Sequence, residues 1–215
     1  MILDLKELIN KYDLKINGVF HVGAHHGQEI NAYKELGVKN IAMVEPQPGC
    51  QKILEERFSD DDEVVLFKCA VGSDDSLGKT LSMYTETANA GQSSSLLEPE
   101  LHLIQRPDIQ FNGTLNVDMS TVDTLTTELK SPENYNFLNV DVQGYELEVL
   151  KGSTKHLNNV DYIMTEVNRA EVYKDCALIR ELDAFLSEYQ FKRVETDWAG
   201  TIWGDAFYIK ETKNG

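Results

Sequence analysis

The chain has 215 residues, 41% of them hydrophobic and 26% charged, and carries a formal net charge of -16. Length and composition fit one soluble domain, residues 1–215, with a sizeable core. A surface this acidic repels phosphate backbones and anionic lipid, and no basic cluster offsets it, so neither nucleic acid nor a membrane is expected as partner.

Cys50, Cys69 and Cys176 are widely spaced and odd in number, which suits neither a disulfide framework nor a paired zinc knuckle. Three reduced thiols in a cytoplasmic protein are expected. The opening "MILDLKELINKYDL" sets acids among leucines and lacks the basic start and unbroken apolar core of a signal peptide. No stretch approaches the roughly 18 apolar residues of a membrane span.

Leu3, Leu5, Leu8 and Ile9 predict a helix within residues 1–14. "GVFHVGA" reads as a buried strand ended by glycine. "GQEINAYKELG" reads as a helix with Ile30, Tyr33 and Leu36 on one stripe, stopped by Gly37. "NIAMVEP" is a second strand, "PGCQKILEERF" a helix opened by proline, and "EVVLFKCAV" a third strand before the turn "GSDDSLG". This alternation predicts a parallel sheet covered by helices. "KTLSMYT" and "GTLNVDM" read as strands around a long polar insert, residues 86–112. Such an insert in a compact α/β domain is more often functional than idle, so a lid or acceptor loop is expected there. The rhythm then resumes with helix "TVDTLTTEL", strand "NFLNVDV", helix "GYELEVLKG", strand "VDYIMTEV" and helix "CALIRELDAFLSEY". "FKRVETD" and "DAFYIKE" close the chain as a strand pair.

The stretch "FHVGAHHGQE" is a strand-to-helix turn in which Gly23 and Gly27 permit tight turning and close approach of a ligand. A helix starting near Gly27 would point free N–H groups at a carboxylate or phosphate. The dinucleotide fingerprint is incomplete, because His25 and Gln28 stand where its further glycines would be. His25 and His26 are adjacent and lack a third ligand at a zinc-like spacing, so they are expected to shape the turn. Glu45 ends the second strand, where an acid can accept hydrogen bonds from ribose hydroxyls. Ala70 and Val71 end the third, where they could flank an adenine.

In "FLNVDVQGYELEVLKG" a buried strand delivers Asp141 to the edge where open α/β sheets bind ligands, and "YIMTEVN" delivers Glu166 and Asn168 to the same edge. Two acids there could share a divalent metal or divide base and orienting roles. Glu146 is open between a place in the site and a solvent face or lysine pair. Trp198 and Trp203 read as core and turn aromatics before a sugar platform.

Taken together, "FHVGAHHGQE", "MVEPQP", "KCAVGSDDS", "QSSSLL", "VDTLTTEL" and "FLNVDVQGYELEVLKG" resemble the FkbM family of S-adenosylmethionine-dependent methyltransferases, from about Gly18 to Val167. The resemblance implies a class I methyltransferase fold: a Rossmann-like three-layer α/β sandwich on a mostly parallel seven-stranded sheet, with one antiparallel strand near the C-terminus. It implies that Gly23, Ala24 and Gly27 cradle the methionine part of S-adenosylmethionine, Glu45 holds the ribose, and Ala70 and Val71 border the adenine. Asp141 would lie where the methyl meets the acceptor. The commoner family pattern has Asp before the turn and Asn within it, whereas this chain has His21 and His25. The implied reaction is O-methylation of a hydroxyl on a sugar, glycan or related small molecule. Asp141 or Glu166 would then draw off the proton, alone or with a divalent ion. The rival readings are a nucleotide- or NAD-dependent enzyme of similar fold and a non-catalytic module that keeps the cofactor fold as a scaffold.

Overall fold

The computed structural model of the protein describes residues 2–211. Helix α1 (Leu5–Tyr12) is capped by the Asp4 carboxylate, which accepts from the Lys6 and Glu7 amides, and it ends where Asp13 turns left-handed. Strand β1 (Gly18–Val22) is buried along its whole length, as a central parallel strand must be. Helix α2 (Ile30–Glu35), strand β2 (Asn40–Val44), helix α3 (Pro48–Phe58) and strand β3 (Val64–Phe67) follow in the expected order.

The run read as one third strand breaks after Phe67. Its end, β4 (Ala70–Val71), leaves the main sheet and pairs in parallel with the last residues of β6 (Phe111–Ser120). With β5 (Thr80–Glu86), antiparallel to β6, these make a separate three-stranded sheet in the order β4-β6-β5. A two-residue strand is too short for periodicity to register, so the second sheet had no signature of its own. Between β5 and β6 the expected irregular insert contains the short helix α4 (Leu101–Gln105).

Helix α5 (Val122–Thr126), capped by Thr121, leads to strand β7 (Phe137–Val140), helix α6 (Glu146–Lys151) and strand β8 (Tyr162–Asn168). Helix α7 (Ile179–Glu188) and the hairpin β9 (Phe191–Ala199) and β10 (Trp203–Lys210) complete the chain. The main sheet has seven strands in the order β3-β2-β1-β7-β8-β10-β9. Neighbours from β3 to β8 are parallel, while β10 runs antiparallel to both β8 and β9. One antiparallel strand near the C-terminus is thus present as expected.

Successive residues of the central strands serve opposite faces. Phe20, Val22, Leu138, Val140 and Ile163 pack with Leu125, Val149, Leu150 and Leu182 from α5, α6 and α7. Val19, Ile41, Phe137, Met164 and Phe207 pack with Leu8, Ile30 and Leu54 from α1, α2 and α3. Each fully buried large apolar side chain contributes roughly 1.5–3 kcal/mol, which pins the strand ends that carry the polar groups below. Among the described residues no helix is long and apolar enough to cross a membrane, and Cys50, Cys69 and Cys176 are free thiols.

Candidate active site

The C-terminal ends of β1, β2, β7 and β8 open onto a cavity of about 720 Å³, a size suited to a small-molecule site. On the β1 side, Gly23 takes φ +85°, and its amide and that of Ala24 donate to the Val44 carbonyl at 3.0 and 3.1 Å. A Cβ at Gly23 would stand 1.9 Å from the Asp141 carbonyl oxygen. Glycine is what lets the ends of β1 and β7 lie this close. Gly27 also has positive φ, but a Cβ there would meet Leu54 and Phe58 of α3, so its smallness serves helix packing, and it does not line the cavity.

The expected row of free amides is not formed. Helix α2 starts only at Ile30, and the amides of Gly23, Ala24, His25 and Gly27 donate to Val44, Glu45 and Ala24. The turn therefore presents shape and side chains to the cavity, with these four donors already spent.

Glu45, just past β2, accepts from the His25 amide on Oε2 and the Gln47 amide on Oε1, each at 2.8 Å. Burial raises its affinity for protons while the two backbone donors oppose the shift. Each oxygen keeps a second lone pair. His25 adopts φ 47° and has both ring nitrogens engaged: Nε2 pairs with the Ala90 carbonyl at 2.8 Å and Nδ1 with the Gln28 amide at 2.9 Å. With a carbonyl as its partner, Nε2 is the nitrogen that donates.

His21 is buried in β1 beside the Tyr33 hydroxyl and the Asn139 amide, each 3.4 Å from a ring nitrogen. Burial lowers its affinity for protons, so a neutral imidazole stands where the commoner family pattern has an acid.

On the β7–β8 side, Gln143 Nε2 donates to Asp141 Oδ1 and to Glu166 Oε2, both at 2.8 Å. Gln143 holds a left-handed backbone (φ 56°) ahead of Gly144, and its Oε1 accepts from the Tyr173 hydroxyl at 3.0 Å. Burial, followed by repulsion from Asp141, Glu146 and Asp205, drives the proton affinity of Glu166 well above the ordinary carboxylate range. Glu146 neither faces solvent nor pairs with a lysine. It is buried, with Oε1 accepting from the Val142 and Gly144 amides at 3.1 and 3.0 Å, and burial pushes it up to about 7.

The cavity brings together His21, Gly23, Ala24 and Glu45 from one half of the sheet with Asp141 and Glu166 from the other. Ala70 and Val71 line it from the second sheet. Of the residues expected to touch the cofactor, Gly27 does not line the cavity, and His26, Glu146 and Asn168 do not line it either. Trp203 lines the cavity, whereas Trp198 stacks under the Arg169 guanidinium at 3.6 Å. Sequence reasoning missed Gln47, Gln143 and Tyr173. Gln143 lay in plain view between the two acids, but no local pattern marked Tyr173, which reaches them only through the fold.

The alternative of a metal shared by Asp141 and Glu166 gains no support. The Gln143 amide donates to both carboxylates, filling the place where an ion shared by them would sit. Among the described residues, the cluster close enough to hold an ion is instead His25, His26 and Cys50, with ligand atoms within 4.8 Å of one another. The third ligand absent from the local spacing thus comes from α3. Its chemistry opposes a cation, since both His25 nitrogens are engaged and burial pushes the Cys50 thiol up to about 12.

Comparison with known proteins identifies the family. A family model described as the methyltransferase FkbM domain matches residues 21–193. The 2-O-methyltransferase NoeI of Sinorhizobium fredii is 22% identical over 178 residues, which are 80% of this chain and 72% of that protein. The solved FkbM methyltransferase of Methylobacillus flagellatus superposes with a TM-score of 0.58 at 13% identity, covering 90% of this chain. The chain spans only 43% of that protein's length. The magnesium protoporphyrin IX methyltransferase of Synechocystis, solved with bound S-adenosylmethionine, gives 0.53 at 8% identity over 96% of this chain and 76% of its own. A putative tRNA methyltransferase of Streptococcus pneumoniae gives 0.51 at 12% identity over 100% and 73%. At these identities the solved structures speak for the fold alone. The last of them also leaves the expected exclusion of nucleic acid without support. With its matching domain, its sheet order and the cavity at its strand ends, the chain belongs to the FkbM family of S-adenosylmethionine-dependent methyltransferases.

Proposed function

We propose that the protein methylates a hydroxyl on a sugar, glycan or related small molecule, with S-adenosylmethionine as donor. The observation that carries this reading is the division of one cavity into two ends. One end has a ribose-competent acid, Glu45, and the other has two carboxylates, Asp141 and Glu166, held together by Gln143. The name of NoeI, a 2-O-methyltransferase, favours oxygen as the acceptor atom.

The residues present fit the cofactor. Gly23 and Ala24 line the cavity where the ends of β1 and β7 meet, and Glu45 keeps free lone pairs for two ribose hydroxyls. Ala70 and Val71 offer the apolar border of an adenine slot, and His21 faces the cavity as a neutral group. Gly27 supports the cradle from behind by letting α3 pack against the turn. A pyrophosphate cofactor fits less well. The cavity lining holds no lysine and one guanidinium, Arg106, which is paired with Asp108 at 2.8 and 3.1 Å.

Bound S-adenosylmethionine supplies an electrophilic methyl group. The protein's task is to align an acceptor oxygen with that methyl, exclude water, and take the hydroxyl proton. Glu166 suits the last step, because burial and then the neighbouring acids raise its proton affinity well above that of an ordinary carboxylate. Asp141 stays beside it as the orienting charge, and the Gln143 amide keeps one oxygen of each carboxylate turned inward.

Calorimetry separates this reading from its rivals. Binding of S-adenosylmethionine and S-adenosylhomocysteine at micromolar Kd or better, with NAD at least about 100-fold weaker, is expected. Tighter binding of NAD, or no binding of any of the three, would overturn it.

A further inference from the structure

The connection from β5 to β6 has two parts with different attachments. Residues 87–95 fold into a compact turn because the Glu86 carboxylate gathers the Asn89 amide at 2.7 Å and the Ser93 amide at 3.3 Å. Ala90 and Gly91 both take positive φ there, which brings their carbonyls toward the cradle. His25 Nε2 meets the Ala90 carbonyl at 2.8 Å, and Gln47 Nε2 donates to the Gly91 carbonyl at 3.1 Å. Farther along, the Tyr173 hydroxyl shares its one proton between the Ser93 carbonyl at 2.9 Å and Gln143 Oε1 at 3.0 Å, and Ser95 Oγ donates to the Gln143 carbonyl at 2.7 Å. Asn89, Gly91, Ser93 and Ser94 line the same cavity as Glu45 and Ala70. The segment expected to cover the acceptor therefore reaches the cofactor half first, and α4, with His102, Gln105 and Arg106, lines the cavity separately.

We propose that residues 87–95 are a strap that closes over the cofactor half of the cavity and retains the cofactor, with Tyr173 and Gln143 as the positioning residues that hold it shut. The proposal rests on the methyltransferase reading above. The strap is fastened at one end to both nucleotide-side loops and at the other to the residue that bridges Asp141 and Glu166. Its closed state and the set carboxylate pair therefore share Gln143 as a common part. None of the side-chain fasteners is a covalent or ionic tie, so the strap can open when a few neutral hydrogen bonds exchange with water.

The test needs no acceptor. Stopped-flow binding of S-adenosylhomocysteine is compared for the unaltered protein, Tyr173→Phe and Ser95→Ala. Tyr173→Phe keeps the ring packed against His102 and Phe111 and removes only the hydroxyl. Dissociation is expected to be about tenfold faster in Tyr173→Phe and about fivefold faster in Ser95→Ala, with association within about twofold. Dissociation within twofold of the unaltered protein in both variants would overturn the strap. Hydrogen exchange on the unaltered protein decides the matter even if a variant fails to fold. The amides of 87–95 should slow at least about tenfold when S-adenosylhomocysteine binds, and unchanged exchange in the complex rejects closure. Failure of the unaltered protein to bind at all would reject the methyltransferase reading itself, a result distinct from either of these.

Discussion

Glu45 and Glu166 are glutamates on the same sheet edge, at the ends of β2 and β8 with β1 and β7 between them, 2% and 5% exposed, yet they are held in opposite ways. Glu45 receives one backbone amide on each oxygen, from His25 and Gln47. Glu166 receives a side-chain amide on one oxygen and faces the charges of Asp141, Glu146 and Asp205. Backbone donors cannot turn away, so Glu45 is a fixed acceptor suited to recognising hydroxyls. A carboxylate crowded by other acids and steadied by one movable side chain is suited to gaining and losing a proton. Burial raises the proton affinity of both, and the partners then part them: two backbone donors oppose the shift at Glu45, and neighbouring acids add to it at Glu166.

The largest effect that could break this comparison comes from removing the turn both halves rely on. Gly23→Ala would push a Cβ into the Asp141 carbonyl, at a cost of about 4 kcal/mol or more. Urea unfolding should show this as a collapse of the midpoint, and an unchanged midpoint would mean that β1 and β7 need not lie so close. Next come Asp141→Asn and Glu166→Gln. Each should lower turnover at least about 100-fold while S-adenosylhomocysteine affinity stays within about threefold. A parallel loss of affinity would move these acids into the binding half. Glu45→Gln should do the reverse, weakening the cofactor about tenfold by calorimetry with little change in turnover at saturation.

The smallest effect is a pH dependence. Glu146 titrates near about 7 in the folded state, far above its ordinary range, and Glu166 is raised as well. The folded protein then binds more protons than the unfolded chain below about 7, so stability is lost as pH rises through that value. Between about pH 8 and pH 6.5, Glu146 should add on the order of 1 kcal/mol as pH falls. Below that, His21 and His156, whose proton affinities burial lowers, oppose this gain. Glu146→Gln keeps the Oε1 acceptor for the Val142 and Gly144 amides and should flatten the upper part of the curve. An unchanged slope in that variant would place the proton elsewhere.

Much of the architecture was legible because it is written in local periodicity. α3 begins and ends where the proline and the run "PGCQKILEERF" indicated, and β1, β2, β7 and β8 lie within the strands read from their apolar runs. The C-terminal hairpin was readable for the same reason. The splitting of "EVVLFKCAV" into β3 and β4 was not, because pairing with β6 some fifty residues later decides it. The same distinction holds in the site. Gly23, Glu45 and Asp141 sit at strand ends, which sequence can locate. The fate of their hydrogen bonds depends on which strand lies alongside. The amides of Gly23 and Ala24 both donate to the Val44 carbonyl, a pairing that no local pattern marks. Likewise Cys50 joins His25 and His26 only because α3 folds back over the turn.

The hairpin turn between β9 and β10 carries a practical consequence. Ala199, Gly200 and Thr201 line the cavity, yet the turn they form is short and belongs to the far edge of the sheet. Gly200 already takes φ +77° with open space around it, so lengthening this turn disturbs neither the packed layers nor the cradle. A library confined to the Ala199 and Thr201 codons, with Gly200 kept for its left-handed backbone, would therefore vary the part of the cavity lining that the sheet's far edge supplies.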